Sequence, residues 1–358
     1  MKLFDSFSLS GAELTSRIVM APLTRRRATR EHVPVDFMAN YYGQRAGAGL
    51  IIAEGTSPSP NGVGYCNMPG LYTKEHVQMW KLCTAAVHEN GGKIFLQVMH
   101  TGRIGHPANL PENAKLLGPS AIPQKGEISV YDKEEKQPYP TPGAMTSEEV
   151  AEAIQEFKAC ARLADEAGFD GVEIHSAHGY LPNQFINQSS NVRTDNYGGS
   201  RVNRMRFLLE VIDASIDEIG SAKVGLRISP FSYADMEEDP DELEGLYKEL
   251  VVELNARNLA YLHLSHMGEP DPRKFKLWKE IREIYRGNLI LCGDFTKESA
   301  EKALENNEAD LIAFGRDFIA NPDLVERFKN GWPLEERDRT FWYTLGNKGY
   351  TDYKNYNE

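Results

Sequence analysis

The chain has 358 residues, 41% hydrophobic and 26% charged, the usage of an ordinary globular protein long enough to bury a large core. A formal net charge of -12 speaks against a nucleic-acid-binding face, and no run approaches the roughly 20 apolar residues of a membrane span. The 4 cysteines, Cys66, Cys83, Cys160 and Cys292, form no C-x-x-C pair and the N-terminus has no cleavage-site pattern, so a cytoplasmic protein with free thiols and no metal site is expected.

In chain order, residues 3–14 read as a small hairpin plugging the floor of whatever follows. Arg25, Arg26, Arg27 and Arg30 form a short basic cluster that reads as a solvated loop. Apolar runs at 17–24, 50–56, 93–100, 171–177, 223–230, 260–266, 288–295 and 311–316 are expected strands. Amphipathic stretches such as 147–167 and 201–218 lie between them. Thr146 followed by Glu148 and Glu149, and Asp239 followed by Pro240, mark helix starts; Gly168 marks a helix end. Residues 101–143, rich in Pro, Gly and polar side chains, break the alternation after the third strand and suggest a lid or excursion over the site. Strands alternating with helices give a parallel sheet. Eight such units fit a TIM (β/α)8 barrel as one domain over 1–358, with an open doubly wound sheet as the other arrangement.

Barrel chemistry sits at the C-terminal strand ends and in the loops after them. The fourth run ends Gly171-Val172-Glu173-Ile174-His175, with His178 and Tyr180 following. Alternation sends Val172 and Ile174 toward the helices and Glu173 and His175 toward the axis. His175 and His178 can donate to one substrate oxygen and Tyr180 can act as a general acid; a metal site or plain structural histidines are the other readings. Arg227 points inward on the fifth run, toward an anionic cofactor edge or a salt bridge with Glu173. Gln97 and Met99 share the inner face of the third run, and Gln97 suits a flavin or pyrimidine edge, or a core network. Gly293 and the pair Gly315-Arg316 close the seventh and eighth runs, where barrels bind phosphate. No G-x-G-x-x-G follows an early strand, so any nicotinamide visits the same mouth.

These residues resemble the Old Yellow Enzyme family. The resemblance is carried by His175-Ser176-Ala177-His178-Gly179-Tyr180, Asn183-Gln184-Phe185, Ser190 through Ser200 and Asn203-Arg204. Ala21-Pro22-Leu23-Thr24, Glu54-Gly55, Gln97, Gly225-Leu226-Arg227, Gly315-Arg316 and Gly349-Tyr350-Thr351-Asp352-Tyr353 extend it from about residue 2 to 356. It implies a TIM barrel with one FMN, reduced by NADPH or NADH, that passes hydride to activated alkenes such as enones, maleimides and nitroalkenes. By position it implies that Pro22, Leu23, Thr24, Gly55 and Gln97 contact the flavin ring. Arg227 would stabilise the N1–C2 carbonyl region, and Gly293, Gly315 and Arg316 the phosphate. His175 and His178 would hold the substrate oxygen, Tyr180 would protonate the alpha carbon, and a monomer or homodimer is implied. Thr24, where another branch carries cysteine, assigns the chain to the branch that the founding members define. Relatives often carry tryptophan where this chain has Met99, and Phe-Tyr where it reads Phe341-Trp342-Tyr343; spacing from Gly349 favours Tyr343 at the mouth. The alternatives are a dienoyl-CoA-type reductase, which needs a cluster-binding cysteine set, and a non-flavin barrel enzyme, such as a glycosidase with paired acids.

Overall fold

A computed structural model describes residues 1–232, 239–266 and 272–357. Its parallel strands are Ile18–Met20 (β1), Leu50–Thr56 (β2), Ile94–Val98 (β3), Gly171–Ser176 (β4), Val224–Ile228 (β5), Tyr261–Ser265 (β6), Leu289–Cys292 (β7) and Leu311–Phe314 (β8). Every residue in them is buried, as in a sheet covered on both faces. Each strand pairs with the next and β8 pairs with β1, which closes the barrel and removes the doubly wound alternative.

The helix between β3 and β4 shows why the wall forms. At Ser147–Glu166, Thr146 and Glu149 make a reciprocal capping box. Val150, Ala153, Ile154, Phe157, Cys160, Ala161 and Ala164 then recur on one face and join Val172 and Ile174 in the layer between helices and sheet. Gly168, at φ 85°, follows its end. Asp239 caps Pro240–Asn255 by accepting from the Asp241 and Glu242 amides. Inside the barrel a second cluster holds Val19, Ile52, Phe95, Tyr261 and Ile290. Leu9 and Leu14 join it from the hairpin Phe7–Leu9/Ala12–Leu14, whose Ser10-Gly11 turn has both φ values positive. The hairpin thus plugs the end at which the strands begin.

Residues 101–143 hold only a 3-10 turn at Pro107–Asn109 and short pairings of Leu117–Gly118 with Gly143–Ala144 and Glu127–Ile128 with Gln137–Pro138. They brace the loop after β2: Asn109 Nδ2 donates to the Gly64 carbonyl at 3.0 Å, and the Asn67 amide donates to Tyr131 Oη at 2.7 Å. None of them lines the cavity described below, so this excursion is not the expected cover of the site.

The arginine cluster also departs from expectation. Arg25 and Arg27 are each 1% exposed. Arg25 donates from Nη2 to the Gly349 carbonyl at 2.6 Å and from Nε to the Trp342 carbonyl at 3.0 Å. Arg27 donates to the Phe341 and Gly346 carbonyls at 2.8 and 3.0 Å. A guanidinium fork can gather several carbonyls at once, and here the two forks tie an irregular C-terminal segment to the barrel mouth. Arg30 alone is exposed, paired with Asp132.

Candidate active site

Register brings the polar side chains together. Glu173 on β4 lies beside Gln97 on β3, His175 beside Arg227 on β5, and Arg227 beside His263 on β6. Gln97 Nε2 donates to Glu173 Oε1 at 2.7 Å, and His263 Nδ1 lies 2.7 Å from Glu173 Oε2. Burial alone would raise the Glu173 carboxyl, but the His263 charge and hydrogen bond, with Arg227 and Gln97, hold it below its ordinary range. The same pairing outweighs burial at His263 and raises it. Glu173 is therefore taken, and the salt bridge to Arg227 does not form. Among the described residues Arg227 donates only to Cys292 Sγ, at 3.7 Å, and its buried Nε has no acceptor.

Above this layer a cavity of about 650 Å³ opens at the C-terminal strand ends. Pro22, Leu23, Thr24 and Gln97 line it, with Arg227, Gly293, Gly315 and Arg316. His175, His178, Tyr180 and Met99 line it as well, and so do both Trp342 and Tyr343. Gly55 does not. A Cβ there would lie 2.6 Å from Met99 Sδ and Cε, so this glycine, behind the wall, makes room for the methionine that lines it.

The β4–helix loop fixes the histidines. His178 takes the left-handed conformation at φ 55°, which costs a non-glycine residue about 1–3 kcal/mol. Its amide donates to Ser229 Oγ at 2.8 Å, and the next amide, of Gly179, donates to Asn183 Oδ1 at 2.9 Å. The rings of His175 and His178 stand 5.4 Å apart at 76°, and those of His175 and Tyr180 are 4.9 Å apart. Ser265 Oγ lies 3.1 Å from His178 Nε2, while His175 Nδ1 is buried with no partner among the described residues. Burial, then the positive groups around them, Arg227 and His263 included, push both imidazoles well below their ordinary range. Both are neutral at working pH, each with one N–H to give. No group of three metal-ligating side chains occurs among the described residues.

His263 is not among the site residues expected from the sequence, although strict alternation in 260–266 turns it inward with Tyr261 and Ser265. Neither are Cys292, Phe295 and Arg337 in the cavity wall, nor Tyr65 beside Tyr180. Tyr65 and Arg337 lie on loops, where no periodicity points to them.

The family model for the NADH:flavin oxidoreductase / NADH oxidase family matches residues 2–335. A probable flavin mononucleotide-dependent alkene reductase of Leishmania infantum is 43% identical over 349 residues, 96% of this chain and 95% of the relative. 12-Oxophytodienoate reductase 2 of Arabidopsis thaliana is 39% identical over 359 residues, 98% of this chain and 95% of its own. Among solved structures, morphinone reductase in complex with tetrahydroNAD superposes with a TM-score of 0.94 at 42% identity, covering 99% of this chain and 97% of that one. The old yellow enzyme homologue from Zymomonas mobilis gives 0.92 at 38% identity, with 99% of each chain covered. The chain belongs to the NADH:flavin oxidoreductase / NADH oxidase family, the Old Yellow Enzyme family, and is an NAD(P)H-dependent flavin oxidoreductase.

Proposed function

We propose that this FMN-dependent ene-reductase acts on enones, maleimides and nitroalkenes, with His175 and His178 holding the substrate oxygen and Tyr180 protonating the alpha carbon. The observation that carries the reading is the convergence of two neutral imidazoles and a phenol on one wall of a cavity whose other walls suit a flavin mononucleotide. Features of the chain itself support that fit. Arg227 carries a buried Nε without an acceptor. A Cβ on Gly293 or Gly315 would meet nothing nearer than 3.9 or 3.4 Å, so both backbones are open to a phosphate. Arg316, held 3.5 Å from Asp294, adds a half-exposed fork beside them.

Bound FMN, reduced by NADPH or NADH, supplies the hydride that reaches the beta carbon. Pro22, Leu23, Thr24 and Gln97 would hold its ring system, and Arg227 its N1–C2 carbonyl region. Gly293, Gly315 and Arg316 would hold its phosphate. The two imidazoles draw electron density onto the substrate oxygen and fix the alkene in the cavity. Tyr180 then gives its hydroxyl proton to the alpha carbon and recovers it from solvent. Gly55, behind Met99, serves by admitting that side chain.

The reading places the enzyme in the cytoplasm, in keeping with four free cysteines, and gives it small-molecule partners only, as a monomer or homodimer. No helix among the described residues is long and apolar enough to cross a membrane. The test is direct. Purified protein should release FMN on denaturation and turn over 2-cyclohexenone or N-ethylmaleimide with NADPH or NADH. A flavin-loaded protein that oxidises nicotinamide yet reduces none of these alkenes would overturn it.

A further inference from the structure

Tyr180 does not stand alone. Tyr65, on the loop after β2, brings its hydroxyl to 3.1 Å from the Tyr180 hydroxyl, with the two rings edge-on at 89°. Tyr65 packs on the buried trio Val63, Met68 and Met99. The excursion grips the neighbouring residues, through Tyr131 to the Asn67 amide and through Asn109 to Cys66. Over the Tyr65 ring lies the Arg26 guanidinium, 4.7 Å from the centroid, and it is also 5.0 Å from the ring of Tyr343. Arg26 is held at φ 55°, a left-handed conformation that an unconstrained arginine avoids. Among the described residues it has no carboxylate partner.

Two hydroxyls at this distance share one hydrogen bond, and either can be the donor. The reaction decides which. Once Tyr180 has given its proton to carbon, its oxygen is an anion that can only accept, so Tyr65 must donate to it. A hydrogen bond to a charged oxygen is stronger than one between neutral hydroxyls. The proton can then pass from Tyr65 to Tyr180, which leaves the negative charge on the ring that faces the Arg26 cation. Water at the mouth restores the Tyr65 proton. No electron is exchanged, and one proton enters for each delivered to substrate.

We propose that Tyr65, with Arg26 over its ring, is a positioning residue that stabilises Tyr180 after proton donation and returns its proton from the mouth of the site. The inference rests on Tyr180 being the acid.

The experiment follows each half-reaction of the holoenzyme by rapid mixing, from acid to alkaline pH. Its variants are Tyr65→Phe, Arg26→Gln, Tyr180→Phe and the double phenylalanine variant. Tyr65→Phe should leave nicotinamide oxidation within twofold of wild type. It should slow reoxidation by 2-cyclohexenone about 10- to 100-fold, the scale of a hydrogen bond to a charged group. It should also move the alkaline limb of that profile to higher pH. Arg26→Gln should shift the limb the same way by less, with Tyr65 intact. The double variant should be no slower than Tyr180→Phe alone. A Tyr65→Phe enzyme with wild-type enone reoxidation and pH profile, beside a slow Tyr180→Phe, overturns this inference and leaves the function standing. Equal slowing of both half-reactions reduces Tyr65 to packing and also overturns it. A fast Tyr180→Phe removes the acid assignment, and this inference with it.

Discussion

The Glu173 carboxylate meets the His263 imidazole at 2.7 Å on the barrel axis, with both side chains wholly buried. A charged pair taken out of water holds only while both partners remain, and removing one leaves a buried charge uncompensated. Glu173→Ala strands His263 and also removes the acceptor of Gln97 Nε2. It should lower stability by about 3–5 kcal/mol, read as a shift in the urea midpoint at constant slope. The pair also sets a pH window. Glu173, depressed in the fold, contributes fully above its unfolded value of 4.5 and less as pH falls; His263, raised, contributes fully below 6.5 and less as pH climbs past its folded value. Comparing wild type with the variant, the loss should be largest between those limits. A loss that does not vary with pH would contradict the charged pair.

The two imidazoles give a binding prediction. Both are held neutral by burial, so they grip an oxygen as neutral donors, and phenolates should bind and give a long-wavelength band with the flavin. His175→Ala with His178→Ala should weaken that binding by no more than about 1.5–3 kcal/mol per lost hydrogen bond to a charged oxygen. Spectrophotometric titration with a p-substituted phenol measures it. Unchanged affinity would place the phenol elsewhere.

Met99 is 1% exposed and fills the space that Gly55 leaves beside the cavity. Methionine is narrow and pliable. Met99→Trp should lower kcat/KM for alkenes with large substituents while sparing 2-cyclohexenone. Equal losses on small and large substrates would show that the side chain does not shape the pocket.

Gly315 tests the phosphate cradle apart from turnover. A Cβ there would touch Leu23 Cδ2 at 3.4 Å and Ala21 Cβ at 3.8 Å, ordinary contacts, so Gly315→Val should fold. The added branches enter the cavity where the backbone amide would meet the phosphate. FMN affinity should fall by about tenfold or more, the scale of one charge-assisted hydrogen bond, in titration of apoprotein with FMN. FMN binding as tight as wild type would move the phosphate elsewhere.

Much of this site was legible in the sequence because strand alternation is strict. Gln97, Glu173, His175 and Arg227 could be turned inward one strand at a time, and the glycines at the ends of β7 and β8 marked open backbone. Partner choice between strands was not legible. Glu173 could have met Arg227, but the register sets it against Gln97, and His263 takes its other oxygen. Loop residues were the other blind spot. Arg25 and Arg27 read as solvated because charge in a loop usually is, yet unpaired C-terminal carbonyls drew both inward. The excursion read as a cover because of its length, but its hydrogen bonds run to the loop that carries Tyr65.

Tyr180 is the proposed acid of alkene reduction. Tyr180→Phe keeps the ring and its contact with His175 and removes the hydroxyl, and with it the proton and the hydrogen bond to Tyr65. Reduction of the flavin by nicotinamide needs no proton from the protein and should stay near the wild-type rate. Reoxidation by 2-cyclohexenone should slow by about 10²–10⁴-fold, the range of general acid catalysis. A nitroalkene should suffer less, because hydride addition leaves a stabilised nitronate that water can protonate later. Rapid mixing of the fully flavin-loaded variant separates these rates. Slow enone reoxidation beside normal flavin reduction is the expected result; enone reoxidation within about threefold of wild type, far short of the loss of a general acid, would exclude Tyr180 as that acid.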